Sequence, residues 1–350
     1  MSHLNIKNSL SKFYNSLVFL HRKISSNTLY DIDQVCIIAI GNLCMGGTGK
    51  TPMTISLAKQ IQDKTGQQVA VISRGYKRKS KIAQEVSIHS RADEVGDEPL
   101  LIKRSTPDTI VWVSKNRNTG IRSILASYPN IGFILLDDGL QHWQVKPHIS
   151  ILLTTYQRPF FDDHVIPRGR LREDVSGASR ADIIVVTKCP ELTDSEKKSF
   201  EQKIEPKEHQ TIFFSQIIYD KFQQTSLHKE QQSSIQKISA EDARSEKWCL
   251  VTGLADTNHL VKYVKSLGID LIHLSYNDHH HYTSKDIKTI ISKAKDRYIL
   301  STEKDLVKWY DYHDLLMNKS VYAIPITLKN NSDSGKDMVE CILQKKHSFK

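Results

Sequence analysis

The chain has 350 residues, 39% of them hydrophobic, and a formal net charge of +10. That suffices for one large or two ordinary domains, and the positive balance asks for an anionic partner: nucleic acid, an anionic membrane face or a phosphorylated substrate. Five cysteines without any C-x-x-C pair and the lack of a long apolar run argue against a disulfide framework, a zinc knuckle or a membrane span, and the N-terminus lacks a secretory signal pattern.

The first segment, 1–25, reads as a basic amphipathic helix. Leu10, Phe13, Tyr14, Leu17, His21 and Ile24 share one stripe, with Lys12, Asn15 and Lys23 opposite. Such a helix either packs on its own domain or lies in a bilayer interface with its lysines near anionic head groups.

Val35 to Pro52 then joins an apolar β-branched run to Gly46-Gly47-Thr48-Gly49-Lys50-Thr51. The glycines leave backbone N–H groups free to turn inward on a polyphosphate at a helix N-terminus. Lys50 is placed to reach the β- and γ-phosphates, Thr51 to put its hydroxyl on Mg²⁺, and Pro52 suits a first helical turn. Cys44 occupies the first glycine position of the strict G-x-x-x-x-G-K-[ST] pattern, so the match is deviant.

Downstream, apolar runs at 69–73, 109–114, 133–136, 149–153 and 182–187 alternate with helical segments at 52–64 and 116–127. This predicts a parallel sheet covered on both faces, with ligands beyond the strands' carboxyl ends. Asp137 and Asp138 leave such a strand together, placed either to hold Mg²⁺ or to cap a turn, and Gln141 and His142 follow beside the same phosphates. Asp97 and Glu98 sit at a helix start, where carboxylates are also favoured by the dipole. Arginines gather at Arg168, Arg170 and Arg172 after Pro167, with Arg74 and Arg117, as phosphate grips or a solvated face. Val185-Val-Thr-Lys188 resembles the start of a guanine-reading N/T-K-x-D, yet Pro190 takes the aspartate position.

From 206 to 245 the chain turns polar around one extended apolar stretch at 211–219 and reads as a linker. A second alternation follows, with strands at 248–251, 270–275, 298–300 and 321–326, then a polar turn and a terminal helix within 330–350. The fold class expected is α/β: a P-loop NTPase-like, mostly parallel sheet with helices on both faces over 26–205, plus a smaller C-terminal α/β domain over 246–350. Asp278-His-His-His281 lies on a loop of that second domain, where solvated histidines are the ordinary case. A carboxylate and an imidazole from different domains can nevertheless meet across a cleft and deprotonate a hydroxyl.

Taken in order, Gly41-Asn-Leu with Gly46 to Pro52, Ser73-Arg-Gly-Tyr76, Gly96-Asp-Glu-Pro-Leu100, Asp137-Asp-Gly-Leu-Gln-His142, Pro167 through Leu171-Arg-Glu173, Asp278-His-His280 and Thr302-Glu-Lys-Asp305 resemble the tetraacyldisaccharide 4′-kinase family. The resemblance implies a kinase that moves the γ-phosphate of ATP, with Mg²⁺, to the 4′-hydroxyl of an acylated glucosamine disaccharide 1-phosphate in lipid A biosynthesis. It implies a peripheral enzyme on an anionic surface, the cytoplasmic face of the bacterial inner membrane, held there by the N-terminal helix. Neither nucleic acid nor an obligate protein partner is expected.

Carried onto this chain, the resemblance makes Asp97 the general base with His279 as its partner and Lys50 the phosphate neutraliser. Gly46, Gly47, Thr48, Gly49, Thr51, Arg117, Gln141 and His142 would contact ATP. Thr51, Glu98 and one of Asp137 or Asp138 would serve Mg²⁺, while Tyr76 and Arg172 would meet the lipid. Lys77-Arg78 after Tyr76 and the basic Arg168-Gly-Arg170 depart from the family's pattern. The rival reading is a nucleotide-switch ATPase of the partitioning or metallochaperone kind, which also uses a deviant loop. A nucleic-acid-binding ATPase fits the charge, but aromatic residues are not interleaved with a basic stripe.

Overall fold

Strands that are apolar along their whole length must be covered on both sides, and this dictates the larger layer. In a computed structural model, which describes residues 2–26, 30–225, 236–331 and 337–347, the strands are β1 Cys36–Asn42, β2 Val69–Ser73, β3 Gln84–Glu85, β4 Ile110–Val113, β5 Phe133–Asp137, β6 Ile149–Thr155, β7 Ile183–Thr187, β8 Thr211–Tyr219, β9 Phe222–Gln224, β10 Lys237–Ile238, β11 Lys247–Thr252, β12 Asp270–Ser275, β13 Tyr298–Thr302, β14 Val321–Ile324 and β15 Ile326–Asn331. The helices are α1 Ser2–Ser26, α2 Lys50–Thr65, α3 Ala92–Val95, α4 Asp97–Ser105, α5 Arg117–Ser127, α6 Asp194–Ile204, α7 Ala240–Ala243, α8 Asn258–Ser266, α9 Ser284–Ala294, α10 Glu303–Leu306, α11 His313–Leu316 and α12 Met338–His347.

Nine strands form one sheet in the order β15-β8-β7-β6-β1-β5-β2-β4-β3, parallel except at its two edges. The two-residue period of β1 divides its side chains between two cores. Cys36, Ile38 and Ile40 pack with Met53, Leu57 and Ile61 of α2 and with Val339 and Ile342 of α12. Ile37 and Ala39 face the other way, onto Ile121 and Ile124 of α5. Truncating one of these fully buried side chains to alanine costs about 2–5 kcal/mol. Gly49 starts α2 and Gly66 ends it, both left-handed, at φ 86° and 66°.

A second sheet of six strands runs β10-β9-β14-β13-β11-β12. Trp248, Tyr282 and Trp309 are its largest fully buried side chains. The chain crosses between the sheets after β8 and again, through Pro325, before β15. The crossings touch: Asp220 N–H donates to Pro325 O at 3.0 Å.

The sheet boundaries differ from the ranges expected. The stretch read as a linker contributes β8 to the large sheet, where Ile212, Phe213 and Phe214 are buried, while its residues 226–235 lie outside those described. Likewise β15 and α12, in the range expected for the smaller domain, return to the large sheet. An edge position with one buried face suits β15, whose Leu328 is buried while its neighbours are polar.

The N-terminal helix α1 docks by its polar side. Ser11 Oγ donates to Val165 O at 2.8 Å, Asn15 Oδ1 accepts from Asp174 N at 3.2 Å, and the Arg22 guanidinium covers the Trp143 ring. Leu10, Phe13, Leu17 and Ile24 of the expected stripe are exposed, Phe13 at 62%, and Ile6 and Leu20 extend the row; Tyr14 is half-buried.

Candidate active site

The loop after β1 is open where a polyphosphate would lie. Gly46 has φ 111°, and a Cβ added at Gly46 or Gly47 would meet nothing within 4 Å. Residues 170–172 strap the loop from outside, with Met45 N–H donating to Arg170 O and Arg172 N–H to Leu43 O, both at 2.7 Å. Lys50 Nζ stands 3.3 Å from Asn42 Oδ1 and 3.6 Å from Asp138 Oδ1. Thr51 is buried in the first turn of α2, and the buried Thr48 hydroxyl has no hydrogen-bond partner.

At the end of β5 the two aspartates occupy different electrostatic settings. Asp137 accepts from Ser73 Oγ at 3.0 Å through one oxygen, while the other is buried without a partner. Burial first, then the charges of Glu98 and Asp138, push its carboxyl up to about 7. Asp138, at φ 51°, accepts Arg172 Nη1 on both oxygens at 3.0 and 3.1 Å. Burial works to raise its carboxyl, but Lys50 and Arg172 hold it below the usual carboxylate range. A buried oxygen lacking a donor, followed in sequence by a second carboxylate, fits a hard divalent cation, to which the Thr51 hydroxyl of the Gly-Lys-Thr turn would add a ligand.

The loop that follows passes close over β1. A Cβ on Gly41 would lie 2.9 Å from the Leu140 side chain, so glycine is required there. Gln141 Nε2 donates to Asn42 O at 2.9 Å and to Glu173 Oε1 at 2.8 Å; Arg180 grips Glu173 from behind. Burial, with the Arg117 and Arg74 charges, pushes His142 down to about 4, so it is neutral at pH 7. Arg117 is buried and spends two donors on Ser114 O at 2.7 Å and Asp137 O at 2.9 Å. Burial lowers it to about 10, still a cation at neutral pH. It braces the end of β5 through the Asp137 carbonyl.

Asp97 opens α4 after Gly96, whose φ of 96° and 3.1 Å approach to the Gly75 backbone admit no side chain. Its Oδ2 lies 2.8 Å from Nδ1 of His279, which the second sheet supplies from a left-handed position at φ 55°. Lys304 Nζ sits 3.2 Å from His279 Nε2. An ammonium has only donors, so Nε2 accepts, Nδ1 carries the proton, and His279 donates to Asp97. Burial works to raise the Asp97 carboxyl, but the His279 hydrogen bond and the Lys304 and Lys308 charges hold it below the ordinary range. Glu98 Oε1 lies 3.8 Å from Lys304 Nζ, and the Tyr76 ring meets His279 edge-on at 5.9 Å.

Most residues singled out from the sequence thus converge on one cleft, from both sheets. His280 and His281 do not join: one pairs with Asp286 and the other with the Tyr282 carbonyl. Lys304 and Asn42 are members that residue-by-residue reading missed. Both lay inside quoted motifs, Thr302 to Asp305 and Gly41 to Leu43, but their roles depend on partners far along the chain.

A family model described as tetraacyldisaccharide-1-P 4′-kinase matches residues 7–345. A protein named tetraacyldisaccharide 4′-kinase from Flavobacterium johnsoniae is 38% identical, over 87% of this chain and 84% of its own length. One of the same name from Bacteroides thetaiotaomicron is 36% identical, over 84% of this chain and 80% of its own. Among solved structures, "apo" form LpxK from Aquifex aeolicus in complex with ATP superposes with a TM-score of 0.75 at 25% identity, covering 99% of both chains.

Proposed function

The chain belongs to the tetraacyldisaccharide 4′-kinase family, and we propose that it carries out that family's reaction with Asp97 as the general base. It is an ATP-dependent lipid kinase that transfers the γ-phosphate to the 4′-hydroxyl of tetraacyldisaccharide 1-phosphate in lipid A biosynthesis. The observation that carries the residue assignment is the 2.8 Å contact between Asp97 and His279, made between the first turn of α4 and a loop of the second sheet, next to Glu98, whose charge reaches Asp137.

Phosphoryl transfer asks mainly for positioning and for neutralisation of charge on the polyphosphate. Gly46 to Gly49 offer backbone N–H groups, Lys50 a positive charge, and Gln141 and His142 line the same side. Thr51, Glu98 and the Asp137–Asp138 pair would hold Mg²⁺. When bound, that ion spreads the charge that builds on the phosphates. Asp97 accepts the proton of the attacking hydroxyl, and the His279 Nδ1–H keeps the carboxylate ionised and aimed. Arg172, half-buried against Asp138, and Tyr76, exposed beside His279, would meet the lipid.

No helix among the described residues is long and apolar enough to cross a membrane. The exposed apolar row of α1 supports a peripheral attachment to an anionic surface, the cytoplasmic face of the inner membrane. Docking through Ser11, Asn15 and Arg22 leaves that row free for acyl chains. A nucleotide-switch reading leaves the carboxylate–imidazole pair without a task. The test is transfer of labelled γ-phosphate from ATP to the disaccharide lipid in mixed micelles. Transfer is expected with Mg²⁺, and folded protein that labels no lipid would overturn the assignment.

A further inference from the structure

The catalytic carboxylates fix which way a nucleotide must run along the sheet. Asp137, Asp138 and Asp97 all lie on the β5 and β2 side of β1, so the γ end of a triphosphate held after β1 belongs there. The ribose and base must then extend the other way, over the carboxyl ends of β6 and β7.

At that place β7 runs into Thr187-Lys188-Cys189-Pro190. Thr187 Oγ1 donates to Thr48 O at 2.9 Å and to Thr154 O at 3.0 Å, tying the end of β7 to the phosphate loop. The next turn is held just as firmly: Cys189 N–H donates to Ser215 O at 3.0 Å, and Gln216 Nε2 donates to Pro190 O at 2.8 Å. Between these ties Lys188 stands at φ 56° and half-buried. Among the described residues its ammonium has no hydrogen-bond or ion-pair partner. Burial lowers its pKa, and the charge of Asp256, in the turn after β11 of the other sheet, works against that shift. A long side chain, left without a partner on a rigid turn beside the phosphate loop, is placed for a ligand rather than for the fold.

We propose that Lys188 is the base-contacting residue of the nucleotide site, its methylene stem forming the wall against which the purine ring lies. The stem supplies apolar contact while the ammonium stays toward Asp256 and water. Pro190 offers no carboxylate to the ring, so the contact is with the face of the base and not with its hydrogen-bonding edge. This rests on the ATP site described above.

The full chain is assayed with ATP and the disaccharide lipid, with inorganic tripolyphosphate as a competitor that has phosphates but no base. Lys188→Ala is expected to raise the KM for ATP about tenfold, leaving kcat and the tripolyphosphate inhibition constant within about twofold. Lys188→Met, which keeps the stem, is expected to stay within about threefold of the unaltered protein. An unchanged KM in Lys188→Ala overturns the proposal, as does equal weakening of tripolyphosphate, which would mean that Lys188 acts through the loop. Failure of tripolyphosphate to compete with ATP in the unaltered protein is a separate result, and it would overturn the phosphate-loop reading itself.

Discussion

Each sheet buries a carboxylate at or just after the end of a central strand, and the two are treated in opposite ways. Asp305, after β13, accepts from Gly253 N–H at 2.9 Å, from Thr302 Oγ1 at 2.8 Å and from the Tyr282 hydroxyl at 3.3 Å, with Lys308 Nζ at 3.1 Å. Asp137, at the end of β5, has one side-chain donor, Ser73, and one bare oxygen. Asp305 is completed by its own chain and holds the loop that presents Lys304 to His279. Asp137 is left short of donors, which is a cost to the fold unless something outside the chain completes it. The difference separates an architectural carboxylate from a ligand-binding one.

The Asp97–His279 pair joins the two regions, so breaking it should have a large effect on turnover. Asp97→Asn is expected to lower kcat about 10³-fold with ATP binding intact, the range for losing a general base; equilibrium titration with ATP alongside steady-state rates reads both quantities. Undiminished turnover would remove Asp97 from that role. Next, Asp305→Ala should cost about 3 kcal/mol of stability, because it strands the buried Gly253 N–H and the Tyr282 hydroxyl. Urea unfolding measures it, and a midpoint within error of the unaltered protein would deny Asp305 its architectural role.

The strands of the large sheet were legible because a strand buried on both faces is a plain apolar run, as at Ile37 to Ile40 and Ile183 to Val186. β15 was not: an edge strand with one buried face shows only Ile326 and Leu328 as apolar positions, and its partner β8 lies more than a hundred residues upstream. The phosphate loop and the aspartate pair could be read from local spacing. Asp97 and His279 could be matched only through a family resemblance, because they approach by tertiary packing across 182 positions of sequence. Lys304 and Lys188 went unassigned for the same reason.

The N-terminal helix repeats the contrast on the surface. Like Asp305, its polar side is completed by the chain, through Ser11 and Asn15; like the bare oxygen of Asp137, its apolar row is left over. Replacing Leu10, Phe13 and Leu17 together by serine is expected to weaken partitioning onto anionic vesicles about 30-fold, roughly 2 kcal/mol of apolar burial, with the melting temperature unchanged. Unaltered sedimentation with vesicles, or a large loss of thermal stability, would show that the row serves the protein and not a bilayer.

On stability alone, one further substitution tests the contrast most sharply, because its sign runs against the usual cost of a core substitution. Asp137 titrates at about 7 in the folded chain, against about 3.9 for an unfolded aspartate. Between those values the native state holds a proton that the unfolded chain has released, so this group lowers stability as pH rises through 7. Asp137→Asn removes the charge and keeps a group that can accept from Ser73. Without nucleotide or Mg²⁺, the variant should therefore be more stable than the unaltered protein at pH 8, on the order of 2 kcal/mol, and no more stable at pH 4. The same change should abolish Mg²⁺-dependent transfer, a gain in fold traded for loss of function. Calorimetric melts at the two pH values decide it. If Asp137→Asn is destabilised at pH 8, the bare oxygen is no burden to the fold, and the distinction between the two buried carboxylates falls.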